Sequence, residues 1–387
     1  MLELTEPEHI RLLRDQLRRF VDKEMPREAA ARWDREDVFP RAVFDKLAEL
    51  GVCGLTVPEE YGGAGVDIPA CMAVIEELSR RSLAVSVPYI MCTCYAGMNI
   101  TEVGSEAQKR ELLPKIAEGK LIFAYGLTEP DVGSDLGSVK TTAVRDGDEL
   151  IINGAKRFCS GADEADYIYA LVCSDRAGAR YKNLSFVLIP PTAPGVTVTA
   201  FECMGVRGIH TTDVNFDNVR LPLANLVGGE AAWNRGWDML AGPGLDVEKI
   251  EVAAIALGVA WAALEDAWTY AQERKQFGKA IGSYQSIRHL LADMQAKLYT
   301  ARTLVYQVAG KLDGEGRHGV ETAIAKLMAT EYCTEITLAA QKVMGAYGYA
   351  SEFPMERYVR DSLALPIFGG SSAIQRNNIV NWMGLPK

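Results

Sequence analysis

Two stretches of this chain hold side chains whose types and spacing could do chemistry. In Gly244-Leu245-Asp246-Val247-Glu248-Lys249, the carboxylate of Glu248 shares a helical face with Val252, Ile255 and Val259. A carboxylate heading an apolar stripe is an anomaly, because unpaired acids are rarely buried. Burial would raise its pKa, as a base that takes a proton near neutrality requires. The other reading is a structural ion pair, for which Lys249 is a poor partner because adjacent helical residues diverge. The second stretch is Tyr125-Gly126-Leu127-Thr128-Glu129-Pro130-Asp131-Val132-Gly133-Ser134-Asp135. Glu-Pro breaks any helix, Gly133 allows close backbone approach, and hydroxyls at Thr128 and Ser134 bracket the turn. Such a loop suits a phosphate or a heterocycle edge. On physical grounds alone an ordinary polar turn before a strand explains it equally simply.

Other candidates carry less. Glu273-Arg274-Lys275-Gln276-Phe277-Gly278-Lys279 reads as a helix end, with cations in the last turn and Gly just past it. The four histidines share no motif, and Ser134 has no histidine in a triad arrangement. The eight cysteines are scattered without zinc or redox spacing, so reduced thiols in a cytoplasm and no metal are expected.

The elements that must position these residues follow from texture. Pro7 to about Ile122 is helical in pattern, with helices expected near Ile68–Arg81 and around Met91–Ile100. From Phe123, short runs bounded by turn residues read as antiparallel strands: Ser138–Val144, Leu150–Asn153, Tyr167–Cys173, Leu184–Ile189, Val196–Phe201 and Asp213–Phe216. Beyond Gly228, long helical patterns return, at about Ile287–Leu312 and Val320–Met344. The expected α+β plan is an N-terminal helical domain (1–122), a middle antiparallel β-domain (123–228) and a C-terminal helical bundle (229–387). A chain of 387 residues with a net charge of −10 argues against nucleic acid as a partner. The acidic start has no signal-peptide core, and Val252–Leu264, taken as the longest uncharged apolar run, is too short to span a bilayer.

The order of residues in the Tyr125–Asp135 loop resembles the flavin signature of the acyl-CoA dehydrogenases. Gln341 to Tyr349, with Pro354 to Asp361, resembles that family's C-terminal signature. The resemblance spans nearly the whole chain. It implies FAD, with Tyr125, Leu127, Thr128, Gly133, Ser134, Phe158 and Ser160 at the isoalloxazine; Phe158 and Ser160 stand where the family has Trp and Thr. It also implies that Arg274, Gln276, Phe277, Gln285, Gln341, Gly345 and Ser371 contact FAD, Arg274 and Gln341 across a subunit boundary. A homotetramer then becomes part of cofactor binding.

The implied reaction is α,β-dehydrogenation of an acyl-CoA thioester, with an electron-transferring flavoprotein as partner. In the medium-chain branch the base is a Glu in Tyr-Glu-Gly-Thr; here that segment reads Phe368-Gly369-Gly370-Ser371, so Gly369 replaces it. The Glu248 stretch resembles that of isovaleryl- and long-chain acyl-CoA dehydrogenases, which place the base on this helix. Glu251 is the reserve candidate. The backbone N–H of Gly369 is left to bind the thioester oxygen, and Ser134, Asp246 and Lys249 to bind substrate. Lys249 and Asn381 stand where many relatives have Arg. The cavity floor is expected among Tyr89 to Tyr95. Rival readings are an oxidase or monooxygenase of the same fold, an enzyme of carrier-protein thioesters, and a non-catalytic homologue.

Overall fold

The computed structural model describes residues 2–312 and 316–385. It has an N-terminal helical domain, a middle β-domain and a C-terminal helical domain. The first holds α1 (Glu8–Glu24), α2 (Arg27–Glu36), α3 (Arg41–Ala48), α4 (Ile68–Ser79), α5 (Leu83–Ile90), α6 (Asn99–Val103) and α7 (Glu106–Ala117). A π-helical segment, Met91–Met98, joins α5 to α6. Asp67 starts α4 by accepting the Ala70 N–H, and Ser105 starts α7 in a reciprocal cap with Gln108.

The strands are β1 (Phe123–Gly126), β2 (Thr142–Asp146), β3 (Glu149–Ser160), β4 (Tyr167–Cys173), β5 (Leu184–Ile189), β6 (Val196–Phe201) and β7 (Thr211–Pro222). They pair in the order β1-β4-β2-β3-β7-β6, with β5 on β4. Two features depart from the antiparallel expectation. β1 runs parallel to β4, and β3 continues well past Asn153 through register shifts at Ile152/Gly154 and Lys156/Cys159. Each bulge interrupts the two-residue alternation, so the sequence shows only the first part of this strand.

The C-terminal domain contains α8 (Gly236–Leu240), α9 (Pro243–Glu273), α10 (Gln285–Leu312), α11 (Gly319–Met344), α12 (Met355–Ala364) and α13 (Ser372–Trp382). A small hairpin, β8 (Lys275–Gln276) and β9 (Lys279–Ala280), follows α9. Phe277 and Gly278 both have positive φ, at 52° and 82°, as a two-residue type I′ turn requires. The stretch read as a helix end is therefore a hairpin; its Gly serves the turn instead of a helix cap.

Helix α9 is the hub, packing on α4, α10, α11 and α12. Its small residues permit close approach: a Cβ at Gly258 would lie 2.4 Å from the Glu76 carbonyl oxygen of α4. Beside this crossing lies a buried ion network. Glu76 accepts from Arg14 (2.7 Å), Arg302 (2.7 Å) and the Tyr306 hydroxyl (2.7 Å), joining α1 and α4 to α10. Burial pushes the Glu76 carboxyl up, but the two guanidiniums and Tyr306 outweigh it and hold it at about 2.

Leu83–Val103 is a helical stretch of 21 residues, long and apolar enough to cross a membrane by length and composition. It is a better candidate for that test than Val252–Leu264, and 78% of its most apolar window is buried inside the chain. It is a core element of this fold.

Glu76→Gln should destabilise the protein by about 3–5 kcal/mol, because two buried cations lose their counter-charge. In the wild type this carboxylate's contribution is complete above its ordinary pKa of 4.5 and fades as pH falls toward 2. Urea unfolding of both proteins at several pH values checks this; the difference between them should shrink in acid.

Candidate active site

Glu248 lies in the second turn of α9, half-buried, and its carboxylate meets a narrow cavity whose walls include Asn99, Tyr125, Leu127, Tyr169, Phe186 and Leu245. Among the described residues, no salt bridge or hydrogen bond reaches this carboxylate. Burial raises its pKa to about 7, against the pull of the Lys249 and Lys326 ammonium groups. Tyr95, from the π-helical segment, stacks on Tyr125 at 3.8 Å, and burial together with the Glu248 charge pushes its hydroxyl pKa well up. Asn99 fixes that pair, donating to the Tyr95 carbonyl (2.9 Å) and the Tyr125 hydroxyl (2.5 Å). Tyr89 points elsewhere, donating to the Val52 carbonyl in the N-terminal core.

The neighbouring acid is different. Glu251 is 1% exposed and does not line the cavity. Burial raises its pKa well above the ordinary carboxylate value, and its side-chain partner is the Cys94 thiol. A carboxyl in that setting is neutral at pH 7.

Lys249, buried at 1% exposure, donates to Asp246 (2.9 Å) and sits 4.6 Å over the Trp382 ring. Asp246 also accepts from the Thr322 hydroxyl. These two sequence candidates thus spend their charges on each other. Gly369 lies against α9 one turn after Glu248: a Cβ there would come 2.9 Å from Val252 Cγ2, and its φ of +59° suits glycine. Ser371 accepts the Ile374 N–H and starts α13.

Across the cavity, the end of β1 meets the second bulge of β3. The Arg157 N–H donates to the Thr128 carbonyl (2.9 Å) and Lys156 Nζ to that of Leu127 (3.1 Å). At the bulge Phe158 has φ +59° and stands 56% exposed, edge-on to Phe201. A strained aromatic turned outward beside the Ser160 and Thr128 hydroxyls fits a flat heterocycle with polar edges. Gly133 has open space around it, and Ser134 is exposed. The loop is pinned from beneath by Glu129, which accepts from the Lys140 N–H (2.7 Å), the Thr141 N–H (2.8 Å) and Lys156 Nζ (2.9 Å). Sequence reasoning gave this buried pair no role, since a lysine in an alternating strand reads as solvated.

The remaining candidates form a separate patch. Arg274 stacks over Tyr347 (5.4 Å), Gln341 donates to the Gly348 carbonyl, and the Gln276 carbonyl accepts from the Tyr284 hydroxyl. Gln285 and Gly345 are exposed, and Phe277 is 93% exposed. Among the described residues no hydrogen bond or ring contact joins this patch to the Thr128–Ser160 ledge of the same chain.

Three profiles match in order along the chain: the N-terminal domain (7–120), middle domain (124–219) and C-terminal domain (234–384) of acyl-CoA dehydrogenase. The chain belongs to the acyl-CoA dehydrogenase family. It is 38% identical to an acyl-CoA dehydrogenase of Bacillus subtilis over 94% of this chain and 95% of that protein. It is 35% identical to the caffeyl-CoA reductase-Etf complex subunit CarC of Acetobacterium woodii, over 95% and 96%. The fold superposes on glutaryl-CoA dehydrogenase in complex with glutaryl-CoA, with a TM-score of 0.93 and 33% identity over 100% and 98%. As an acyl-CoA dehydrogenase this oxidoreductase uses FAD to dehydrogenate an acyl-CoA thioester.

Glu129→Gln removes the counter-charge of buried Lys156 and loosens the loop beside the ledge. The variant should release FAD at least about tenfold faster, the equivalent of about 1.4 kcal/mol, as followed by flavin fluorescence after dilution.

Proposed function

We propose that Glu248 is the base of this dehydrogenation and that the Gly369 N–H binds the thioester oxygen. The observation that carries the reading is an unpaired carboxylate, with a pKa of about 7, facing a cavity that the flavin ledge also borders through Leu127. Bound FAD supplies the acceptor for the β-hydride at its N5. The chain does the rest. The α-proton of a thioester is weakly acidic, so it leaves only when a donor polarises the carbonyl and a desolvated carboxylate waits for it. Gly369 lies against the Val252 turn of α9, a place from which its N–H serves as that donor without a side chain. Tyr95, Tyr125 and Tyr169 exclude water from around Glu248. Ser134 is exposed for the thioester's tail, while Asp246 and Lys249 form a paired wall backed by Trp382.

In base position this places the enzyme with the isovaleryl- and long-chain pattern within the family. Leu127, Thr128, Gly133, Ser134, Phe158 and Ser160 hold the isoalloxazine. Arg274, Gln276, Phe277, Gln285, Gln341 and Gly345 hold the FAD of a neighbouring subunit in a homotetramer. The separation of the two patches within one chain and the bare Phe277 support this sharing. Electrons leave to an electron-transferring flavoprotein in the cytoplasm, by likeness to CarC, whose name places it in an Etf complex.

Glu248→Gln should keep FAD and bind thioester, yet slow flavin reduction by about two to four orders of magnitude; Glu251→Gln should be mild. Stopped-flow bleaching with a panel of acyl-CoAs measures both, and wild-type speed in Glu248→Gln would place the base elsewhere. Below pH 7 Glu248 of the free enzyme carries a proton and accepts none, so kcat/KM should rise with pH through about 7. Arg274→Ala should lose FAD; full retention, read from the ratio of flavin to protein absorbance, contradicts the shared site.

A further inference from the structure

Lys326 is a residue for which the base and the flavin ledge leave no task. It lies in the middle of α11 at 0% exposure, and among the described residues no salt bridge reaches it. A buried ammonium without a carboxylate partner is expensive to keep. Its Nζ donates to two backbone carbonyls, Leu365 O (2.9 Å) at the end of α12 and Gly370 O (2.9 Å). Gln375, in α13 and 1% exposed, reaches the same turn from the other side. Its Nε2 donates to Gly370 O (2.9 Å) and Gly369 O (3.2 Å).

These four bonds grip a segment that has little rigidity of its own. Gly369 and Gly370 are consecutive left-handed residues, with φ of +59° and +76°, and two adjacent glycines move between backbone regions at almost no steric cost. The peptide that carries the Gly369 N–H lies between the pinned Leu365 carbonyl on one side and the pinned Gly369 and Gly370 carbonyls on the other. A donor acts on a developing oxyanion only if it is already aimed when charge appears.

We propose that Lys326 and Gln375 are positioning residues of the reaction, a clamp that holds the Gly369–Gly370 turn so that the Gly369 N–H faces the thioester oxygen. The proposal rests on the donor role of Gly369 given above. Lys326 has a second effect that Gln375 lacks, since its charge acts on Glu248. The charged and titratable groups around that carboxylate are Lys249 and Glu251 on its own helix, Lys326 from α11, Tyr95 from the π-helical segment and Tyr125 from β1. Lys249 is already paired with Asp246, which leaves Lys326 as the unpaired cation of the group. A lysine that only capped α12 would explain the bond to Leu365, but neither the bond to Gly370 nor the convergence of Gln375 on the same oxygen.

The test uses the FAD-loaded full-length enzyme and a 3-ketoacyl-CoA, a ligand that cannot be turned over in this way and whose C2 ionises to an enolate when its thioester oxygen is polarised. Ultraviolet absorbance gives the pH at which the bound ligand ionises. Lys326→Met and Gln375→Met should each raise that pH by about one unit or more, with ligand binding changed less, and each should slow flavin reduction by about tenfold or more. Only Lys326→Met should also move the acid limb of flavin reduction to higher pH, because it alone removes a cation from near Glu248. If Lys326→Met fails to fold, Gln375→Met carries the test alone. Ionisation at the wild-type pH in the variants, with Glu248→Gln inactive, overturns the clamp and leaves the base in place. A ligand whose ionisation wild-type enzyme does not lower from its value in solution overturns the donor role of Gly369 itself.

Discussion

A carboxylate that must take a weakly acidic proton can be neither hydrated nor paired, and that requirement shapes the centre of this molecule. Desolvation has to come from neighbours that offer no hydrogen bond and no close cation. Helix α9 meets it by being flanked on several sides at once. Its small residues let α4 approach until a single added Cβ at Gly258 would collide, and α11 lies along another flank. Aromatic rings from the π-helical segment and from β1, β4 and β5 cover the Glu248 end. A π-helical turn is an uncommon way to run a chain and often marks a functional site; here it carries Tyr95 to the base.

The other buried charges show how unusual that bareness is. Glu76 has two guanidiniums and a hydroxyl; Glu129 has an ammonium and two backbone N–H groups. Both are held below the ordinary carboxylate pKa despite burial. Glu248 and Glu251 are raised, the first with a cavity before it and the second against a thiol. The protein therefore places satisfied ions where rigidity is needed and leaves acids unsatisfied along one face of a single helix.

How much of this the sequence revealed follows from what each feature does to local pattern. Strands β4, β5 and β6 have the bounds that their apolar runs suggested, because no bulge disturbs them. β3 was half visible, since Gly154 and Phe158 shift its register, and β1, four residues long and parallel, carries no alternation to read. The Arg274–Lys279 hairpin read as a helix end because Gly278 serves either purpose until its neighbour's φ is known. Glu248 stood out as an acid on an apolar stripe. Lys156 and Lys326 did not, for a single lysine amid alternating or Ala-rich sequence looks like a solvated residue. Their burial is set by partners far along the chain: a loop for one, the Gly370 turn for the other.

The burial of Leu83–Val103 has a consequence for the order in which this chain is made. α9, which covers part of that segment, begins only at Pro243, after the whole β-domain. A ribosome making the chain therefore exposes a helix with the length and composition of a membrane span long before its cover exists. Contacts so distant in sequence also form slowly, since a long loop must close before they reward the chain. The three profile boundaries that divide the sequence so cleanly are thus not lines along which it can be cut. A fragment ending after the β-domain would present to its surroundings a surface made for the interior of a protein, and membranes and chaperones both bind such surfaces.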